Sequence, residues 1–114
     1  MQSQTFVITG QDFLEPISTF VRHYHQVAHE SSYQGGFIRL YEDYSFLAGN
    51  DLMICIRLDA AAALEGKVLI EFIAGGGSGS PFFRNLFTRN NSRIRHFRNQ
   101  LEAFCISEGL AMSG

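Results

Sequence analysis

The chain has 114 residues, 46% of them hydrophobic and 18% charged, with eleven Phe, no Trp and a net charge of −2. That length suits a single domain over residues 1–114, large enough to bury about two-thirds of its unfolded surface without staples. No signal-peptide pattern opens the chain and no apolar run reaches the roughly eighteen residues of a membrane span, so a soluble cytoplasmic protein with no membrane partner is expected.

Thr5-Phe6-Val7-Ile8-Thr9 is β-branched and aromatic, which suits a short strand ending at Gly10. Phe13, Ile17, Phe20, Val21, Tyr24, Val27 and Ala28 then recur at the spacing of one helix face. Asp12 with Glu15 fits a capping box at its start. Pro16, which lacks an N–H and suits the first turn, places the start instead at Glu15; both starts stay open. Ser31-Ser32 and Gly35-Gly36 end this helix.

Three strands are predicted next. The first is Phe37 to Tyr41, extending toward Leu47, and Gly49-Asn50-Asp51 supplies hairpin turn chemistry. In the second, Leu52, Ile54, Ile56 and Leu58 alternate with Met53, Cys55, Arg57 and Asp59. Alanine-rich Ala60 to Glu65 suits one helical turn stopped by Gly66. The third strand runs from Lys67 to Ala74.

Phe82, Phe83, Leu86 and Phe87 suit a helical turn, and Asn90-Asn91-Ser92 interrupts it and caps a second helix. In that helix Ile94, Phe97, Leu101, Phe104 and Cys105 share a face, and Gly109 ends it before a frayed tail. The fold class is therefore α+β: a four-stranded, mostly antiparallel sheet, in chain order β-α-β-β-β-α, with two helices packed on one face.

Sheet alternation assigns Phe6, Ile8, Ile38, Leu40, Leu52, Ile54, Ile56, Val68, Ile70 and Phe72 to the face under the helices. Val7, Phe37, Arg39, Tyr41, Met53, Cys55, Arg57, Leu69, Glu71 and Ile73 then line the other face. That second face is too apolar to stand wholly in water, so a homodimer through it is expected. Arg39, Arg57 and Glu71 on it suit cross-strand pairing or a ligand's polar group.

The most unusual local composition follows the last strand. Gly75-Gly76-Gly77-Ser78-Gly79-Ser80 leads into a segment holding Arg84, Arg89, Arg93, Arg95 and Arg98 with no acidic residue. A glycine turn between strand and helix can present backbone N–H groups to an anion, with serine hydroxyls and arginines closing on it. Gly76, Gly77, Ser78, Gly79, Ser80, Arg84 and Arg89 are the candidate ligand-binding residues. The loop is neither a Walker motif nor a dinucleotide fingerprint, and the plainer reading is a flexible connector.

Other candidates are weaker. Cys55 and Cys105 sit in apolar contexts and read as small buried hydrophobes in a reducing compartment. His25 and His29 are four apart, but a zinc site wants three or four ligands, so no metal or cofactor is expected. No nucleophile elbow or activated cysteine is evident. These features describe a small non-enzymatic binding or assembly protein contacting a small anionic ligand. The alternatives are an enzyme with a pocket between sheet and helices, using Arg39, Arg57, Glu71 or a histidine, and a nucleic-acid-associated protein using the basic segment.

Overall fold

Backbone pairing in the computed structural model builds one antiparallel sheet flanked by two helices. The structure describes residues 2–24, 29–45, 50–76 and 83–114, with side chains described except at 2, 42–45, 50–52, 76 and 83–92. In chain order the elements are β1 (Gln2–Thr9), α1 (Leu14–Arg22), β2 (His29–Tyr33), β3 (Gly36–Ser45), β4 (Asn50–Asp59), a short 3-10 turn (Ala63–Glu65), β5 (Lys67–Gly76), α2 (Phe83–Glu108) and β6 (Ala111–Ser113). The sheet order is β2-β3-β4-β5-β1-β6, and every neighbouring pair is antiparallel.

The expected α+β class with an antiparallel sheet and two helices is what forms, but the sheet has six strands rather than four. The two additions are edge strands without an apolar alternation. All five residues of β2 are exposed, and only Met112 of β6 is partly buried. β2 is held by its hairpin instead. Tyr33 pairs with Gly36 across the two-residue connection Gln34-Gly35, where Gly35 takes φ +94°, a conformation that other residues rarely adopt. Gly36 is needed for closeness: an added Cβ would lie 2.1 Å from the Leu58 carbonyl oxygen and 2.8 Å from the Tyr33 hydroxyl. The Tyr33 ring crosses this glycine so that its hydroxyl donates to the Leu58 carbonyl at 3.4 Å. The tail is likewise not frayed, since Val7, Ile8 and Thr9 pair with Ser113, Met112 and Ala111.

The helices also depart from expectation. α1 begins at Leu14 with Phe13 as its N-cap and no side-chain cap bond, so the Asp12–Glu15 capping box does not form. Pro16 is the third residue of α1, inside the first turn, where its missing N–H leaves no helical bond unmade. α1 stops at Arg22, and Tyr24 reaches the core from a turn, its N–H bonded to the Val21 carbonyl at 3.2 Å. Val27 and Ala28, expected on the same helix, lie outside the described residues. α2 runs unbroken through Asn90-Asn91-Ser92. Asn and Ser weaken a helix interior only by tenths of a kcal/mol each, roughly, and tertiary packing overrides that.

Both helices contribute to one cluster with a single face of the sheet. Its members include Ile17 and Val21 of α1, Ile94, Phe97, Leu101 and Cys105 of α2, and Phe6, Ile8, Ile54, Ile56, Val68, Ile70, Phe72 and Ala74 of the strands. Phe97 is its centre, with ring centroids at 4.7 Å from Phe72, 5.0 Å from Tyr24, 5.9 Å from Phe6 and 6.1 Å from Phe20. As the chain advances from Phe20 in α1 to Tyr24 just beyond its end, the partner on α2 retreats from Phe104 to Phe97, so the two helices run antiparallel.

One strand is turned over relative to expectation. β3 pairs Phe37 with Leu58, Arg39 with Ile56 and Tyr41 with Ile54, so Phe37, Arg39 and Tyr41 share the helix-covered face. All three are buried, while Ile38 and Leu40 lie half-buried on the outer face. Burying Phe37 and Tyr41 hides more apolar surface than burying Ile38 and Leu40. The polar tips also find partners at the end of α1, as described below.

The central position of Phe97 sets a first test. Phe97→Ala is expected to cost about 3–5 kcal/mol in urea unfolding, whereas Leu64→Ala, at a fully exposed site, should stay within about 0.5 kcal/mol. Equal effects would contradict the placement of the core.

Candidate anion site beside the buried arginine

The inward row of β3 carries an arginine into the core face. Arg39 is 7% exposed, and its Nη1 donates to Glu30 Oε1 on the neighbouring strand β2. The pairing of Glu30 directly opposite Arg39 fixes that contact. Arg22, in the last turn of α1, donates from Nε to the same Oε1 at 3.2 Å, and its guanidinium lies 4.4 Å from the Phe37 ring centroid. Arg39 in turn lies 5.9 Å from the Tyr41 ring centroid. The Tyr41 hydroxyl donates to the Val21 carbonyl at 3.0 Å, taking up one of the carbonyls at the end of α1.

Two guanidinium groups therefore share one carboxylate, so among the described residues positive charge is in excess there. Arg39 Nε is enclosed and has no hydrogen-bond partner among the described residues. A buried donor left without an acceptor costs roughly 1–3 kcal/mol. Burial pushes the Glu30 carboxyl up, but the bonds and charges of Arg22 and Arg39 outweigh it and hold the group below its ordinary value. Burial pushes the Tyr41 phenol up, partly offset by Arg39. A compact oxyanion placed between the two arginines would supply the missing acceptor and balance the charge.

The residues singled out in the sequence are distributed differently. β5 ends at Gly76 and α2 begins at Phe83, so the order of strand, glycine-rich connection and helix is present. Gly77, Ser78, Gly79 and Ser80 lie outside the described residues, as do the side chains of Arg84 and Arg89. Arg57 and Glu71 pair directly across β4 and β5 on the outer face, Nε to Oε1 at 3.1 Å, and Arg57 Nη1 also reaches Asp59 Oδ2 at 3.2 Å. Hydrogen bonds with Tyr33 and Glu71 raise the Arg57 pKa further. Arg57 and Glu71 thus face away from the helices and do not join Arg39, against the expectation of one shared face.

Burial raises both cysteine thiols, with Glu71 adding to the effect at Cys55 and Glu102 at Cys105; both are free. His25 is outside the described residues, and among the described residues no group of three potential metal ligands occurs. No described helix is long and apolar enough to cross a membrane. The Arg22–Glu30–Arg39 cluster escapes a pattern reading because it needs β2, whose residues carry no periodic signal, and because alternation alone puts Arg39 on the outer face. No family of known proteins, no curated protein and no solved structure matches the chain.

The depressed Glu30 pKa has a definite sign. A carboxyl whose folded pKa lies below its unfolded value of 4.5 stabilises the fold above that pH, and the contribution is lost as pH falls through the folded value. Because the cluster is partly open to solvent, the effect should be about 1 kcal/mol or less. Stability measured from pH 7 down to pH 3 is expected to fall less steeply in Glu30→Gln than in the parent, and parallel curves would contradict the shift.

Proposed function

We propose that the chain is a small non-enzymatic binding protein whose ligand presents a compact anionic group. The observation that carries this reading is the buried Arg39, whose Nε has no partner among the described residues and whose carboxylate partner is shared with Arg22. An arginine so enclosed has little solvent to lose, so an oxyanion gains strong, oriented hydrogen bonds there. The Gly76–Ser80 segment with Arg84 and Arg89 is a second proposed contact for the same class of group. Its support is compositional, together with the passage from β5 into α2.

Inorganic phosphate and sulfate are suitable probes. Both are expected to raise the Tm of the parent chain, with chloride as the control for ionic strength. Arg22→Ala, an exposed change, should weaken the response about 5-fold or more in apparent affinity, as loss of one charge-assisted contact implies. Glu30→Gln should strengthen it, because the competing carboxylate is gone. If Arg84→Ala with Arg89→Ala abolishes the rise while Arg22→Ala leaves it intact, the anion sits at the glycine segment instead. No anion effect in any variant would refute the reading.

A specific observation favours assembly as well. The outer face still joins half-buried Val7, Ile38, Leu40, Cys55, Leu69 and Ile73 to exposed Met53, even after Phe37 and Tyr41 have moved to the core. We propose a homodimer through this face, its Arg57–Glu71–Asp59 row able to pair with its own copy about a two-fold axis. Sedimentation velocity should give a concentration-dependent dimer that Ile73→Lys converts to monomer with little change in Tm. A monomer at all concentrations would exclude it.

A further inference from the structure

The antiparallel crossing of α1 and α2 leaves a groove of about 470 Å³ lined by Glu15, Pro16, Thr19, Phe20, Phe104 and Glu108. Its apolar part is an aromatic pair, Phe20 and Phe104, with ring centroids 5.0 Å apart and planes at 26°. Both rings are half-buried and both line the groove. Its rim is two exposed carboxylates. Among the described residues, neither has an ion-pair or hydrogen-bond partner.

The charge around this groove is one-sided. Residues 1–21 and 99–114 hold Asp12, Glu15, Glu102 and Glu108 and no Lys, Arg or His. Glu15 sits in the first turn of α1, where a negative charge suits the helix dipole. Glu108 is different. It is the last residue of α2, at the negative end of a 26-residue helix whose final turn holds no basic residue. A carboxylate there is opposed by its own helix, and an incoming cation would relieve both at once. The size lies within the range of small-molecule sites. An aromatic floor beneath a carboxylate rim matches an ammonium group on an apolar body, the charges meeting the first and the rings packing against the second.

We infer that this groove binds a small organic cation, with Glu15 and Glu108 meeting the ammonium group and Phe20 and Phe104 the apolar body. The inference is independent of the anion site, which lies beyond the opposite end of α1.

The test is a titration of isotope-labelled protein with 2-phenylethylammonium, followed by amide chemical shifts, with neutral 2-phenylethanol as the isosteric control. Saturable shifts confined to residues 15–20 and 104–108 are expected. The neutral alcohol, and the exposed double variant Glu15→Gln with Glu108→Gln, should bind about 5- to 10-fold more weakly, as loss of the two solvent-exposed charge contacts implies. Equal shifts from the alcohol would show a merely greasy groove and overturn the proposal. So would an unchanged affinity in the double variant, or the absence of any saturable shift.

Discussion

The facing of β3 is the constraint on which the rest of the structure depends. Turning Phe37, Arg39 and Tyr41 toward the helices buries two large rings but also brings a guanidinium into the core face. An enclosed guanidinium without a partner is costly, and Glu30, itself partly open to solvent, offsets part of that cost. Glu30 must therefore be present, which explains why the wholly exposed strand β2 exists and why it pairs where it does. α1 must also end near Arg22, so that Val21 can offer its carbonyl to Tyr41 and Arg22 can lie over Phe37 while sharing Glu30. Hairpin, helix end and strand face answer one requirement.

That requirement also explains what could be read from the sequence and what could not. β1, β4 and β5 are legible because their alternation is unequivocal: Phe6 and Ile8, Ile54, Ile56 and Leu58, Val68, Ile70 and Phe72 are buried as a period of two dictates. The apolar face of α2 is legible for the same reason through Ile94, Phe97, Leu101 and Cys105. β3 is not, because both of its faces carry large apolar residues and an arginine counts against the inward one in any pattern reading. Among the described residues it is the carboxylate of Glu30, on a strand that no pattern marks, that offsets the cost of turning that arginine inward. β2 and β6 are stabilised by backbone pairing, so their side chains leave no periodic trace. Tyr24 shows a subtler case: it occupies the core position that helical spacing assigns, yet does so from a turn after α1 has ended.

Charge is segregated along the molecule in a way that the net value of −2 conceals. Among the described residues Arg22 and Arg39 leave positive charge in excess at the open edge of the sheet, while the start of α1 and the end of α2 are purely acidic. The outer face differs again, with Arg57 held between Glu71 and Asp59 amid half-buried aliphatic side chains. The partners proposed for the three surfaces differ accordingly: an oxyanion for the first, an organic cation for the second, a second copy of the chain for the third. The first and third proposals depend on which side of the sheet each residue of β3 occupies, because that choice sets both the arginine pair and the composition of the outer face.

The decisive measurement is a set of inter-residue proton contacts for β3 in solution. Nuclear Overhauser effects from the Tyr41 ring to the methyl groups of Val21 and Ile54 are expected, with Leu40 contacting Cys55 and His29 on the opposite side. Contacts from Leu40 and Ile38 to the methyls of Ile54 and Val21, with Tyr41 left to solvent, would contradict the inward facing of Arg39 and all that is built on it.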